Sequence, residues 1–337
     1  MQFEWLRPPT TSLATLASLR ALRSLPADAA FPEWLGQAPR NFWPWLLQQM
    51  DTGGNQTNNL GWSLWANAQK HQPKLFFHLT STEVIEFPWT ESADQIKGLV
   101  RFFQDQDLPR GGILLSGLPN IPERYWAFVA AALYGLSWQE LDFTTSSGGI
   151  EHARISTGVD LFLSQEIVAG QSIWEVAEQP GFPTTLYVPD QQWLVKERNH
   201  TKVMAWNQIH GPAFDPISPV ALPTDSSLYQ GIPRTHIAWL LRWITEGLCQ
   251  DIRPGERLAV LSEVPGSQLS GLKAWWWGAD LHFGAWPDHL HELPIEHLEV
   301  EDQKTGAFPA MLRSLLVRGS RSIDLPQAPD ILSLRVS

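Results

Sequence analysis

The 337-residue sequence contains a single cysteine, Cys249, which excludes an internal disulfide framework and any multi-cysteine metal site. No uninterrupted apolar run approaches the roughly 20 residues of a membrane-spanning helix. Charged residues make up only 18%, and 35 acidic residues against 24 basic ones give a net charge of -11. A negative chain repels phosphate, so the composition argues against a general binder of nucleic acid or anionic membranes.

Several enzyme signatures are also missing. The sequence has no G-x-G-x-x-G after a strand, no Walker loop, no G-x-S-x-G elbow and no H-E-x-x-H helix. His289, His291 and His297 form one dense histidine group, for which an exposed loop is the favoured interpretation and a metal site the alternative. The neighbouring pair Glu299 and Glu301 is interpreted as a solvated face. These patterns assign no catalytic residue and no metal ligand.

What the sequence has in excess is tryptophan, at 18 residues, and proline, at 26. Tryptophan buries a large flat surface, so the run of three at 275–277 predicts core or subunit contact rather than chemistry. Leucines at helical spacing predict a helix over 11–25, which precedes an aromatic stretch over 31–45 and a polar loop over 51–59. The first segment lacks an apolar block followed by a cleavage site, so we expect an ordinary amphipathic helix and a cytoplasmic protein.

From about residue 92, helical and strand patterns alternate. The elements predicted in this part are a helix over 94–106 with Ser92 as N-cap, a turn over 109–112, strands at 113–116, 161–164 and 185–188, and a helix from Pro122 to about Gly135. The succession then returns as a helix over 235–249, a turn over 253–256, a strand over 258–261, a helix holding the tryptophan run and a strand over 281–283. This rhythm predicts an α/β fold with parallel-rich sheets flanked by helices.

Composition divides the chain into four parts. Residues 1–91 form a helical and aromatic N-terminal cap, and residues 92–196 form a first α/β lobe. Residues 197–225 are proline-rich, which predicts an irregular connection. Residues 226–337 are predicted to form a second α/β lobe, in which the part after residue 286 shows little helical or strand periodicity.

The most informative segment reads SSLYQGIPR at 226–234. It resembles the phosphate loop of adenylate-forming acyl-CoA synthetases, S-S-G-T-T-G-x-P-K. Three further segments resemble family patterns, and they occur in the same order along the chain. LPNIPE at 118–123 resembles the family's LPN-x-PE, and DIRPGERL at 251–258 resembles its DLRPGDRL. GAD at 278–280 lies where the family has a Gly-Ala-Thr turn. The acetoacetyl-CoA synthetase branch is the most similar, since WLRP at 5–8, NFWPW at 41–45 and FDP at 214–216 resemble its cap and its Phe-Asp-His-Pro segment.

This resemblance implies the fold of the large N-terminal domain of these enzymes. It is expected to be truncated, because the chain stops at Ser337, about where the relatives continue toward base, ribose and magnesium contacts. ATP or AMP, magnesium and CoA are the ligands that the family implies. The residues that match the phosphate loop are Ser226, Ser227, Gly231, Pro233 and Arg234.

The departures from the loop are as informative as the matches. Leu228 replaces a glycine, Tyr229 and Gln230 replace two threonines, and Arg234 replaces a lysine. A Cβ at Leu228 restricts the backbone conformations with positive φ that a close approach to phosphate uses, and the loss of both small threonine hydroxyls removes their donors from the cradle. Arginine keeps the charge, but its planar fork is not a compact ammonium.

The sequence therefore predicts a degenerate, non-catalytic acyl-CoA synthetase-like protein that acts as a binding or interaction module in acyl and CoA metabolism. One alternative is an ATP-dependent acyl-CoA ligase of the acetoacetate type, present as half of a split enzyme or as a fragment. Another is a small-ligand sensor. A truncated doubly wound core exposes apolar surface, so we expect a homo-oligomer or a heteromer with an acyl-CoA-related protein.

Overall fold

The structure, a computed structural model, describes residues 60–140 without a break, followed by a series of shorter stretches. These stretches are 158–168, 171–174, 183–189, 203–209, 226–229, 232–236, 239–240, 243, 246–247, 250, 252–261, 269–285, 290–301, 312, 314–318 and 332–336. The helix predicted over 11–25, the aromatic stretch over 31–45, the loop over 51–59 and Cys249 lie outside the described residues.

The helices, in chain order, are α1 (Leu60–His71), α2 (Trp89–Asp105), α3 (Pro122–Tyr134) and α4 (Lys273–Trp277). The strands are β1 (Leu75–His78), β2 (Val84–Phe87), β3 (Ile113–Ser116), β4 (Ser137–Glu140), β5 (Leu161–Gln165), β6 (Ile167–Val168), β7 (Gln171–Ser172), β8 (Thr184–Val188), β9 (Val203–Ala205), β10 (Ser226–Tyr229), β11 (Ile232–Thr235), β12 (Arg257–Leu261), β13 (Asp280–Gly284), β14 (His297–Glu301), β15 (Ser314–Arg318) and β16 (Leu332–Val336). Single 3-10 turns lie at Trp206–Gln208, Ser270–Leu272 and Leu290–Glu292. The described positions 236, 239, 240, 243, 246, 247 and 250 are also helical, and the name helix 236–250 refers to these positions.

The chain divides into two compact units. Unit 1 contains Ser63–Thr90 and Leu240–Ser337, and unit 2 contains Asn58–Trp62 and Glu91–Trp239. The sheet of unit 2 has the order β4-β3-β5-β8-β9, and all its strand pairs are parallel. Its central strand β5 is buried from Leu161 to Ser164 because helices cover parallel sheets on both faces.

The sheet of unit 1 has seven strands in the order β16-β15-β14-β12-β13-β1-β2. All neighbours are parallel except β2, which returns antiparallel to β1 as an edge strand. One face carries α4, whose three tryptophans are 0–6% exposed, and this confirms that the run at 275–277 is core. The other face carries an aliphatic cluster that includes Leu261, Ile295 and Val300. The α/β fold with parallel-rich sheets is therefore confirmed.

The two units repeat one strand order. β13-β12-β14-β15-β16 of unit 1 corresponds, strand for strand and all parallel, to β4-β3-β5-β8-β9 of unit 2. Each first strand follows a proline-glycine turn that is closed in the same way. The Gly111 N–H donates to the Gly135 carbonyl at 2.6 Å, and the Gly255 N–H donates to the Gly278 carbonyl at 2.9 Å. All four glycines have positive φ, which explains why glycine recurs there.

The predicted turns at 109–112 and 253–256, the strands at 113–116, 161–164, 185–188, 258–261 and 281–283, and the helix from Pro122 are confirmed within one or two residues. The helix predicted over 235–249 begins at His236, because Thr235 still belongs to β11. The strands β1, β2, β4, β9 and β14–β16 are structure that the sequence did not predict.

Ser92 is not an N-cap, and that prediction is wrong. Helix α2 begins three residues earlier, at Trp89, and Ser92 lies inside it, fully buried. The physical reason is the burial of Trp89, whose ring packs edge-on against Trp275 at 5.4 Å between centroids. Pro88 directly precedes the helix. A proline is tolerated at a helix start because the first N–H groups have no acceptor within the helix.

Candidate functional site

The segment that resembles a phosphate loop folds as a β-hairpin in unit 2. Ser226 and Ser227 lie in β10, and Pro233 and Arg234 lie in β11, with Ser227 opposite Arg234. The backbone therefore brings four of the five predicted site residues together. The fifth, Gly231, lies outside the described residues.

The pairing of this hairpin continues through the substituted positions. Leu228 stands opposite Pro233, and Tyr229 stands opposite Ile232, which leaves only positions 230 and 231 as the connection. In an antiparallel ladder, every second residue directs its N–H and C=O toward the partner strand. An N–H group that is hydrogen-bonded to the partner strand cannot also bind a phosphate oxygen. The segment up to Tyr229 is therefore a strand in this protein and not a phosphate-binding loop.

The hairpin lies beside β4, the edge strand of the unit 2 sheet. A buried ion pair fixes the end of β4: the guanidinium of Arg124 donates to the Glu140 carboxylate, and the two side chains are 2% and 9% exposed. The Trp138 indole N–H also donates to Glu140, at 3.2 Å. Arg124 belongs to α3, so the ion pair joins this helix to the end of the edge strand.

The segment LPNIPE, at 118–123, opens helix α3. Ile121 is the N-cap residue in an extended conformation, and Pro122 is the first helical residue, where its missing N–H costs nothing. The Tyr125 hydroxyl donates to Asn120 Oδ1 at 2.9 Å, which fixes the turn before the helix. Burial raises the pKa of Glu123 above its ordinary range. The segment acts as a helix start in this chain.

His236 is a buried residue that the sequence analysis did not single out. It directly follows β11 and begins helix 236–250, and its side chain is 7% exposed. The Leu60 N–H, at the start of α1, donates to His236 Nδ1 at 3.2 Å, so the proton of the neutral ring is on Nε2. Burial lowers its pKa to about 4. Only the fold reveals this contact, since 176 residues separate the two partners.

The interpretation of the histidine group as an exposed loop is wrong for His297. His297 lies in β14, fully buried, with its Nε2 at 2.9 Å from Glu256 Oε2. His289 lies outside the described residues, and His291 lies in a 3-10 turn. In the part of the chain that the structure describes, no three His, Cys, Asp or Glu side chains are grouped to hold a metal ion.

The interpretation of Glu299 as part of a solvated face is wrong. Glu299 is 1% exposed in β14, where it pairs with Lys273 of α4. The alternation His297-x-Glu299-x-Glu301 resembles a polar face on a half-exposed strand, but β14 is a strand in the interior of a seven-stranded sheet. Buried charges are rare unless they are paired, so the sequence pattern favoured the wrong alternative.

No protein-family model matches the sequence, and no curated protein matches it. Among solved structures, acetoacetyl-CoA synthetase from Streptomyces lividans matches 95% of this chain with a TM-score of 0.68 and 13% identity. The chain has the fold of an acyl-CoA synthetase N-terminal domain. The N-terminal domain of the acyl-CoA synthetase FACL13 from Mycobacterium tuberculosis matches 78% of the chain and 70% of its own length, with a TM-score of 0.60 and 13% identity.

The chain spans 59% of the length of the Streptomyces acetoacetyl-CoA synthetase. The resemblance read from the motifs is thus confirmed at the level of the acyl-CoA synthetase fold. No helix in the described stretches is both long enough and apolar enough to cross a bilayer.

The donor set at the hairpin does not fit the magnesium–ATP complex that this fold implies. The family loop presents a glycine and two hydroxyls, whereas leucine, tyrosine and glutamine stand here, and two of these three lie in the β10 strand. A cradle for triphosphate uses backbone amides that converge on the anion. We therefore derive no step that passes through ATP at this hairpin.

Proposed function

We propose that the protein is a non-catalytic acyl-CoA synthetase-like module that binds a partner or ligand in acyl and CoA metabolism and does not activate carboxylates. The observation that carries the proposal is the strand pairing of Leu228 and Tyr229, which occupy the positions that match a glycine and a threonine in the family's loop. The fold and the collinear motifs support the link to acyl and CoA metabolism. The single cysteine supports a cytoplasmic location.

The physical basis of the proposal is the chemistry of adenylation. In adenylation, a carboxylate oxygen attacks the α-phosphorus of ATP and pyrophosphate leaves, a step that depends on charge neutralisation and alignment by metal, lysine and backbone donors. Replacing two threonines and a glycine by larger side chains exchanges short hydroxyl donors for longer side chains and hinders close approach of the backbone to phosphate. A chain altered in this way keeps its fold and loses activation.

ATP–pyrophosphate exchange tests the proposal. With magnesium and short carboxylates such as acetoacetate, the wild-type chain is expected to exchange labelled pyrophosphate no faster than buffer. The matched variant carries Leu228→Gly, Tyr229→Thr, Gln230→Thr and Arg234→Lys, which restores the family loop and isolates its contribution. Carboxylate-dependent exchange by the wild-type chain would refute the proposal.

A second candidate is an ATP-dependent acyl-CoA ligase of the acetoacetate type, of which this chain is half of a split enzyme or a fragment. The observation that favours it is the length relation, since the chain spans 59% of the acetoacetyl-CoA synthetase that it resembles. Co-expression with the protein encoded by a neighbouring gene for the remaining part would then restore ATP-dependent thioester formation. Absence of thioester with that partner present would leave the non-catalytic module as the better account.

The ligand of the module can be sought by thermal shift with ATP, AMP, CoA and short acyl-CoAs. A ligand that binds only the folded state raises the melting temperature by mass action. A rise with CoA or acyl-CoA and not with magnesium–ATP is the expected pattern for a ligand-binding module, and a flat response across the panel favours a protein partner.

A further inference from the structure

Unit 1 contains a cluster of charged side chains buried in its interior. Lys273 is 0% exposed, Glu246 5% and Glu299 1%. The Lys273 ammonium donates to Glu246 Oε2 at 2.9 Å and to Glu299 Oε1. The second oxygen of Glu299 accepts a hydrogen bond from Ser270 Oγ at 3.0 Å. An ammonium in contact with two carboxylates in a core of tryptophans is unusual, because Lys and Glu are almost never fully buried.

The cluster joins three elements of the unit. Glu246 belongs to helix 236–250, Lys273 is the first residue of α4, and Glu299 lies in β14. Trp243 and Gly247, which are also described residues of helix 236–250, contact α4 through Trp277. The Trp277 indole N–H donates to the Trp243 carbonyl at 3.1 Å, beside Gly247. Residues 243, 246, 247 and 250 share one face of a helix by their spacing, so the charge and the aromatic contacts lie on the same face.

Large flat apolar surfaces pack without strong directional preference, because the hydrophobic effect is proportional to area and not to angle. Apart from the Trp277–Trp243 hydrogen bond and the close contact at Gly247, the tryptophan faces therefore place little directional constraint on the helix. An ion pair behaves differently, because separating its partners inside the core leaves a buried charge without compensation. Each shifted arrangement of helix 236–250 would separate Glu246 from Lys273.

We propose that the Glu246–Lys273–Glu299 cluster is a register lock, which selects one position of helix 236–250 against α4 and β14. Its contribution is to the uniqueness of the packing and not to net stability. Desolvation of the three charges offsets most of their attraction, so an apolar cluster of similar volume is as stable as the ionic one.

Two kinds of variant separate uniqueness from stability. Lys273→Met alone leaves two buried carboxylates without their ammonium and is expected to lower the folding equilibrium constant by roughly 100-fold or more. The triple variant Glu246→Leu, Lys273→Met and Glu299→Leu is expected to fold with an equilibrium constant equal to or above that of the wild type. In the triple variant, however, the indole N–H signals of Trp243, Trp275 and Trp277 should broaden or split in NMR spectra.

Two controls define the readout. Glu246→Gln keeps an acceptor for the ammonium and should retain one sharp set of indole signals. The double variant Arg124→Met and Glu140→Leu removes a buried ion pair from unit 2 and should leave these three indole signals unchanged. A triple variant with wild-type, sharp indole signals would overturn the proposal. So would a triple variant that fails to fold, or a Lys273→Met variant as stable as the wild type.

Discussion

At the scale of single residues, burial of polar groups explains much of this molecule. His236 and His282 are both buried, and burial lowers their pKa values to about 4 and about 3. His282 lies beside His78 in neighbouring strands, with His78 Nε2 and His282 Nδ1 at 3.1 Å, and Phe76 stacks on it. Neutral imidazoles thus belong to the native state, and protonation opposes folding.

The pH dependence of stability follows from this. The ordinary histidine pKa of 6.5 in the unfolded chain lies above the folded value of about 4 for His236. The unfolded state therefore binds the extra proton, and the contribution of His236 is complete above pH 6.5 and is lost as pH falls toward 4. Between pH 7.5 and pH 5 we expect a loss of about 2 kcal/mol from this group.

Urea unfolding of wild type and His236→Asn at both pH values measures this contribution. The Asn oxygen can replace Nδ1 as the acceptor for the Leu60 N–H, and it does not titrate. The variant should lose about 2 kcal/mol less than the wild type on acidification. Equal acid losses in the two proteins would show that His236 does not stay neutral in the native state.

A second residue-scale prediction concerns Gly247. A Cβ placed there would lie 1.8 Å from Trp277 Nε1 and would displace the indole that donates to the Trp243 carbonyl. Gly247→Ala is therefore expected to lower the free energy of unfolding by about 2–3 kcal/mol. Gly98→Ala in α2 is the matched control, since its nearest neighbour, Ile209 Cγ2, is 3.3 Å away. Similar unfolding midpoints for both variants would contradict the close contact.

At the scale of elements, each unit contains a strand whose first backbone N–H donates to a carboxylate. Asp160 Oδ2 accepts the N–H of Ile113, the first residue of β3, at 2.7 Å. Glu296 Oε2 accepts the N–H of Arg257, the first residue of β12, at 2.9 Å. In each unit, a carboxylate just before one strand, β5 or β14, thus satisfies the first amide of the adjacent strand in the sheet, β3 or β12.

Removing either carboxylate should have the same effect. Asp160→Ala and Glu296→Ala are each expected to lower the free energy of unfolding by about 1–3 kcal/mol, because a backbone donor loses its acceptor. Amide hydrogen exchange should accelerate selectively at Ile113 in the first variant and at Arg257 in the second. Asp94→Ala, at an exposed ion pair, is the control and should change little. Exchange rates equal to wild type at both amides would show that these carboxylates do not protect the first amides of β3 and β12.

The elements that the sequence could predict are those with local signals. The strands β3 and β12 follow proline-glycine turns, and α3 begins at Pro122, so turn chemistry marks their limits. The strands β9 and β14 carry no such marks, because they are strands only through pairing with β8, β12 and β15. The buried state of Glu299 depends in the same way on Lys273, which is 26 residues away in the chain.

The candidate site was predictable only in part. The motif at 226–234 located the segment, and the substitutions Leu228 and Tyr229 were visible in the sequence. The pairing that turns this segment into a hairpin beside β4 was not visible, because strand register depends on the neighbouring edge. His236 carried no sequence signal, since its partner Leu60 is distant in the chain.

At the scale of the whole molecule, association is the open prediction. Composition led us to expect a homo-oligomer or a heteromer, in which tryptophan supplies interface surface. In the described residues, tryptophans such as Trp239 and Trp275 serve the core instead, and the large apolar side chains that are exposed are Leu79 and Val84. Light scattering at micromolar concentration should give a mass above 38.0 kDa, the mass of one chain. A clean monomer in the absence of a partner would contradict self-association.

The most direct test of the account is isothermal titration of the purified chain with magnesium–ATP. We expect no saturable heat with the wild-type chain, and binding once Leu228, Tyr229, Gln230 and Arg234 are changed to the family residues Gly, Thr, Thr and Lys. The contradicting result is saturable binding of magnesium–ATP by the wild type that Arg234→Ala abolishes, because the hairpin would then still hold a triphosphate.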